Sequence, residues 1–277
     1  MRDRVQDKVV LITGASAGIG AALARELGKR GSRLALLARR LDRLDALAAE
    51  LRAAGVKVAV AAADVAQDGD LERAVEKTHA ELGPIDIAVA NAGFSVNGPL
   101  AKLSLDDHRR QLETNLFGVL RTYIATRDDL KAQRGRLAVI GSVSGYVATP
   151  GVGAYNISKF AVRAFCDTLR DEVFEDDVSV THIIPGFIET EIRHLDKNGV
   201  YSEQNKDPVP RWLQMSAAQA AIEIADAIEL RQGERILTRH GQLGVMVGRH
   251  VPGVLSAANR LMRLTWRSDG LSRQRRR

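Results

Sequence analysis

Cysteine is almost absent from this chain. One thiol, Cys166, among 277 residues excludes an intrachain disulfide and fits a reducing compartment. Its apolar neighbours at helical spacing predict a buried core thiol. Long hydrophobic runs are missing too. No stretch reaches the roughly 18 uncharged apolar residues that a membrane span needs. Residues 1–6 are charged and polar, with no apolar run behind a basic start, so no secretory signal is expected and a cytoplasmic location is. His79, His108, His182, His194, His240 and His250 show no metal-ligand spacing, and no metal is expected. His182 falls in an apolar run and reads as structural. There is no internal repeat and no low-complexity linker.

Charge is present but uneven. The net charge is +6, yet residues 231–277 carry 11 arginines against 2 acids, and residues 1–230 have a net charge of −3. The basic character belongs to the carboxyl-terminal end, which argues against nucleic-acid binding by the main body. It leaves open contact between that end and an anionic surface.

The main body alternates strand and helix patterns. Continuous apolar runs at 9–12, 34–38, 56–63, 85–90, 137–140 and 178–184 read as buried strands, with a last one at 235–238. Helical patterns fall at 19–30, 41–54, 70–82, 104–133, 153–174 and 217–231. This order predicts an α/β fold, a Rossmann-type doubly wound parallel sheet of about seven strands with helices on both faces. We expect one catalytic domain over 1–240 and a helical extension with a basic tail over 241–277. Ligands of such sheets bind beyond the carboxyl ends of the strands.

The chemistry-bearing residues cluster at those ends. Thr13 to Gly20, in the spacing Gly-x-x-x-Gly-x-Gly, joins the first strand to the first helix. Glycines there let the backbone approach a pyrophosphate, and the helix N-terminus offers unpaired N–H groups; a glycine-rich turn without a ligand is the competing reading. The second strand ends in Ala38-Arg39-Arg40, with no carboxylate to accept from a ribose 2′-hydroxyl. Two guanidinium groups instead suit a 2′-phosphate. The expectation is NADP(H) in preference to NAD(H), with Arg39 as the main contact and Arg40 in support. Arg40 is the readier of the two to be a solvated helix-start residue. Tyr155 and Lys159 stand at i and i+4, one above the other on a helix. A cation so close favours the phenolate and suits the tyrosine to proton transfer.

Together these residues resemble a classical short-chain dehydrogenase/reductase over about 7–240. The signatures run in the family's order: Thr13 to Gly20, Asp64-Val65, Asn91-Ala92-Gly93, Asn115 in Asn-Leu-Phe-Gly, Ser142, Tyr155-Asn-Ile-Ser-Lys159, and Pro185-Gly186 with Thr190. The resemblance implies Tyr155 as general acid/base, with Lys159 lowering its pKa and binding the nicotinamide ribose. It implies Ser142 on the substrate oxygen and Asn115 anchoring a water that links Lys159 to solvent. Gly14, Ser16, Ala17, Gly18, Ile19 and Gly20 would cradle the pyrophosphate. Asp64 and Val65 would hold the adenine, and Asn91, Ala92 and Gly93 would line the adenosine side. Ile188 and Thr190 would contact the nicotinamide carboxamide and the diphosphate, with Pro185 and Gly186 also in the cofactor site. Ala90 stands where many members have a second asparagine. The Tyr-x-x-x-Lys spacing argues against enoyl reductases, and the loop spacing against the extended, sugar-epimerase branch.

Around this site, 191–215 is expected to form a lid, with Tyr201, Pro208, Pro210 and Trp212. Phe94, Val96, Tyr146, Val147 and Phe187 are candidate pocket residues for a small apolar carbonyl or alcohol substrate. Leu255, Ala258, Leu261, Met262 and Trp266 share one helical face. The segment 243–277 would touch a membrane surface or cover the substrate entrance or a partner subunit, and the last arginines read as a solvated tail. Family likeness implies a homodimer or homotetramer built on the helices 104–133 and 153–174. A nucleotide-binding sensor that kept the fold without turnover is the alternative class.

Overall fold

The computed structural model describes residues 5–190, 209–253 and 257. Within them lie seven strands: β1 Val9–Thr13, β2 Arg33–Ala38, β3 Val58–Ala62, β4 Ile87–Ala90, β5 Arg136–Ile140, β6 Ser179–Ile184 and β7 Glu234–Ile236. Eight α-helices accompany them: α1 Gly18–Lys29, α2 Leu41–Ala53, α3 Asp70–Leu82, α4 Leu105–Leu112, α5 Gly118–Ala132, α6 Gly153–Glu172, α7 Ala217–Glu229 and α8 Arg239–His250. The strands form one parallel sheet in the order β3-β2-β1-β4-β5-β6-β7.

Alternation along each strand divides its side chains between two cores. Val10 and Ile12 of β1 face the core shared with α1, α2 and α7. Val9 and Leu11 face α3 on the other side. Further along that face, Ala88, Leu137 and Val139 pack with α5 and α6, where Cys166 is buried. Arg30, just past the end of α1, ties that helix to α7 through Asp226 at 2.8 Å and bonds Glu26 of α1 at 2.8 Å.

Strand order reverses between β1 and β4, so the loops after these two strands diverge and leave a crevice. Thr13 holds its edges together. The Thr13 hydroxyl oxygen accepts the N–H of Asn91 at 3.0 Å and of Ala92 at 3.1 Å, and the hydroxyl donates to the Val89 carbonyl.

Two expectations need correction. The single helix expected over 104–133 is interrupted. A wide π turn, Glu113–Phe117, separates α4 from α5. The Asn115 amide leaves the helix surface to bond the backbone of Phe94, and the turn widens to let it. The last strand stops at Ile236 rather than 238, because Thr238 caps α8 by accepting the Gly241 N–H. Of the expected lid, 191–208 lies outside the described residues, as do Leu255, Ala258, Leu261, Met262, Trp266 and the arginine tail. Among the described residues, no helix is long and apolar enough to cross a membrane.

Thr13→Val keeps the shape of the side chain but strands the N–H groups of Asn91 and Ala92. A stability loss of about 1–3 kcal/mol is expected in urea unfolding. A loss below about 0.5 kcal/mol would show that the clamp contributes little.

Candidate active site

The glycine loop crosses from β1 to α1 against the strand β4 side of the crevice. Gly14 has φ +66°, and a Cβ there would lie 2.8 Å from the Ala92 Cα. A Cβ on Gly20 would lie 2.5 Å from the Gly14 carbonyl oxygen and 2.6 Å from the Asn91 amide nitrogen. Only glycine lets the first turn of α1 rest on the loop this closely. Ala17 is the N-cap and makes no side-chain cap bond, and the first turn holds no acidic residue. The N–H groups of Gly18, Ile19 and Gly20 and the positive end of the helix dipole therefore suit an anion. Thr190 stands over the loop, its methyl 3.3 Å from where a Gly18 Cβ would be. This cradle fits a pyrophosphate.

The two arginines at the end of β2 have different partners. Arg40 donates to the Ser16 hydroxyl at 3.2 Å, so its guanidinium lies on the glycine loop itself. Arg39 is two-thirds exposed and pairs loosely with Asp64 at 3.8 Å. Both border the end of β2, and no carboxylate occupies the strand end. Asp64 is held by its neighbours, its N–H donating to Asp70 and its carboxylate accepting from the Ala66 N–H. Val65 is buried, packed tightly against Gly118 of α5.

Across the crevice, the Asn91 amide donates to the carbonyls of Thr13 at 2.8 Å and Gly14 at 3.1 Å. Ala92 and Gly93 continue the wall, and Gly93 lies against the Asn115 side-chain oxygen. Asn115 is fully buried. Its amide oxygen accepts from the Phe94 N–H and its nitrogen donates to the Phe94 carbonyl, each at 3.0 Å. The same nitrogen reaches the Ser158 hydroxyl at 3.3 Å. Its side chain thus fastens α4–α5 to the loop after β4 and to α6.

Ser142 follows β5, and its oxygen accepts the Ser144 N–H at 3.0 Å, which orients the hydroxyl and leaves its proton to donate. The turn Val143–Gly145 then packs on α6, where a Cβ on Gly145 would lie 2.7 Å from the Lys159 carbonyl oxygen. Tyr155 sits half-buried in the first turn of α6, and Lys159 is buried one turn on. The Lys159 ammonium donates to the Ile140 carbonyl at 2.8 Å and lies 5.7 Å from the centre of the Tyr155 ring. Burial pushes its pKa down to about 8. Tyr146 differs. Burial first, then the Glu234 carboxylate at 2.7 Å, raises its hydroxyl above the usual range, so it cannot serve as an acid/base group near neutrality.

The segment after β6 returns over the same end of the sheet. The Pro185 carbonyl accepts the Val143 N–H. Ile188 is buried and pairs with Met215, beside the backbone bond from the Met215 N–H to Phe187. Of the candidate pocket residues, Phe94, Val147 and Phe187 keep exposed surface, whereas Val96 and Tyr146 are buried. Those two are core residues: Gln111 bonds the Val96 N–H, and Tyr146 is engaged by Glu234 and by the guanidinium groups of Arg163 and Arg249. His182 lies buried in β6, pushed down to about 4 by burial, and stacks 6.2 Å from Tyr146.

The helix α8 contributes to the site in a way that the motifs do not announce. Gly241 and Gly244 pack on Val143, and Gly248 on the Tyr146 backbone. The glycines at i, i+3 and i+7 share one helical face, a signal present in the sequence but unrelated to chemistry. Glu234 and Arg249 close the contact by bonding each other and Tyr146.

A family model described as short chain dehydrogenase matches residues 8–199. The chain belongs to that family. Among curated relatives, dehydrogenase/reductase SDR family member 7B of Bos taurus is 36% identical over 213 residues, 74% of this chain and 65% of the relative. 11-beta-hydroxysteroid dehydrogenase A of Sesamum indicum is 38% identical over 190 residues, 68% of this chain and 54% of the relative. The chain thus spans less than two thirds of either. Among solved structures, an alcohol dehydrogenase from Thermococcus sibiricus complexed with 5-hydroxy-NADP is 32% identical with a TM-score of 0.74, covering 83% of this chain and 96% of that one.

In this short-chain dehydrogenase the buried ammonium is a stability cost. Lysine binds its proton more weakly when folded, so the penalty is full below about 8 and fades as pH rises toward the unfolded value near ~10.4. Lys159→Met should therefore stabilise the unliganded protein at pH 7 by about 1–2 kcal/mol, after the loss of the Ile140 hydrogen bond. The gap should narrow by pH ~10. Urea unfolding at both pH values checks this, and a gap that does not change with pH would contradict it.

Proposed function

We propose that this chain is an NADP(H)-dependent oxidoreductase that moves hydride between the nicotinamide and a carbonyl or secondary alcohol, working as a reductase of an apolar ketone or aldehyde. The observation that carries the reading is the buried Lys159 ammonium, anchored on Ile140 one helical turn from Tyr155. When bound, the nicotinamide supplies or accepts the hydride. Tyr155 gives its phenolic proton to the substrate oxygen in the reducing direction, and the adjacent cation favours the phenolate that remains. Lys159 also binds the ribose hydroxyls. Ser142 donates its hydroxyl proton to the same substrate oxygen, where negative charge develops. Asn115 holds the π turn beside Lys159 through which water restores the proton. The archaeal relative's complex with 5-hydroxy-NADP supports the choice of cofactor, as does Arg40 on the glycine loop.

The apolar rim supports a bulky substrate. Phe187 and Trp212 are exposed near the segment after β6, and α8 presents Leu243 and Met246 outward. The sesame relative's name as a hydroxysteroid dehydrogenase points the same way. On this reading the carboxyl-terminal extension borders the substrate entrance. Phe117 and Ile124 near α5 and Ile157 and Phe160 on α6 are 40–50% exposed. These exposed apolar side chains on the two helices support assembly as a homodimer or homotetramer.

Purified protein should oxidise NADPH with members of a ketone and aldehyde panel. Tyr155→Phe should lower turnover by about 10²–10⁴-fold and leave NADPH binding intact. Binding without turnover, in wild type and variant alike, would favour a nucleotide sensor instead. Arg39→Ala should weaken NADPH binding roughly tenfold or more, with NADH binding nearly unchanged. Equal losses for both nucleotides would refute the preference for NADP.

A further inference from the structure

His240, in the first turn of α8, meets the chain that follows β6. Its Nε2 lies 3.2 Å from the Phe187 backbone nitrogen, whose N–H donates to it. The same Nε2 lies 3.1 Å from the Thr238 hydroxyl oxygen. That hydroxyl already accepts the Gly241 N–H at 3.1 Å, so its own proton is free to turn toward the ring. The imidazole also stacks on the Phe187 ring, centroids 5.2 Å apart and planes 24° apart. Gly186 leaves no space between them. A Cβ there would lie 2.1 Å from the Thr238 hydroxyl and 2.6 Å from His240 Nε2.

Two donors converging on Nε2 require a lone pair there, which places the single ring proton on Nδ1. A doubly protonated ring would set a third N–H against them. The fastened segment is the one that carries Ile188 and Thr190, and Thr190 stands over the glycine loop at Gly18. The neutral ring thus meets the 185–190 segment at Gly186 and Phe187.

We infer that His240 is a positioning residue whose neutral imidazole holds the 185–190 segment in the form that a bound dinucleotide requires, and that protonating the ring releases this segment. The inference rests on the cofactor reading above. Gly186 and Phe187 face the ring from the segment after β6, and Thr238 faces it from the turn after β7. Among these described neighbours none is charged, and Arg239 beside it in the chain is exposed. Burial lowers its pKa below the ordinary histidine range, so the neutral form prevails at neutral pH.

The test compares wild type with His240→Gln, whose amide oxygen accepts a hydrogen bond but does not titrate, and with His240→Phe, which keeps the ring and loses the acceptor. Two readouts are taken at pH 7.5 and at a pH below the midpoint of the His240 titration, read by NMR: amide-exchange protection of Phe187 in the unliganded protein, and the NADPH dissociation constant. In wild type, protection should fall and the dissociation constant rise, each at least tenfold more than in His240→Gln. His240→Phe should be unprotected at both pH values. Parallel behaviour of wild type and His240→Gln, or full protection in His240→Phe, would overturn the inference. Should either variant fail to fold, the wild-type exchange measurement decides alone: Phe187 protection must follow the titration of the His240 ring, read by NMR, and unchanged protection across that titration would overturn the inference. Failure of NADPH to bind at any pH would count against the cofactor reading, and the exchange data would still decide whether His240 fastens the segment.

Discussion

A lysine ammonium with almost no access to water stands at the centre of this molecule's site. Its hydrogen bond to the Ile140 carbonyl offsets only part of the desolvation, and the remainder appears as a depressed pKa. A cation kept under such conditions needs a rigid surround. The turn after Ser142 supplies one wall, close enough to α6 that Gly145 has no room for a side chain. The Asn115–Phe94 bonds supply another, at the expense of regular helix geometry in the π turn. Each of these features makes sense as support for one charged group beside one phenol.

The sheet sets the second condition. Reversal of strand order between β1 and β4 opens the crevice, and Thr13 and Asn91 hold its sides at a fixed separation through side-chain bonds to backbone. The uncapped end of α1 points into that space. Binding of an anion there needs no dedicated cation, because the peptide dipoles and open N–H groups are already aligned. Arg40 adds charge on the β2 side of the same loop.

The helix α8 joins these two halves. Its glycine face lies on the turn that carries Ser142, and its first residues lie on the segment that carries Thr190. Glu234, Arg249 and Tyr146 lock the far end of the helix. Helix α8 is therefore mechanically continuous with the turn at Ser142 and with the segment at Thr190.

Much of this was legible in the residues themselves. Apolar runs separated by helical patterns specify a parallel sheet, because strands buried on both faces tolerate few polar residues. The glycine spacing after β1 and the Tyr155–Lys159 spacing report local geometry, a tight turn and one helical turn, which a linear pattern records faithfully. Bonds between residues distant in sequence leave no such pattern. The π turn at Asn115, the burial of Val96 and Tyr146, the placing of Arg40 on Ser16, and the contact of His240 with Phe187 all arose from packing between elements 15 to 103 residues apart. Local propensity and period are written in neighbouring residues, so the sequence determined the elements and the motif residues. Which side chains meet across those elements is set by how whole helices pack on the sheet, and only the tertiary structure decided that.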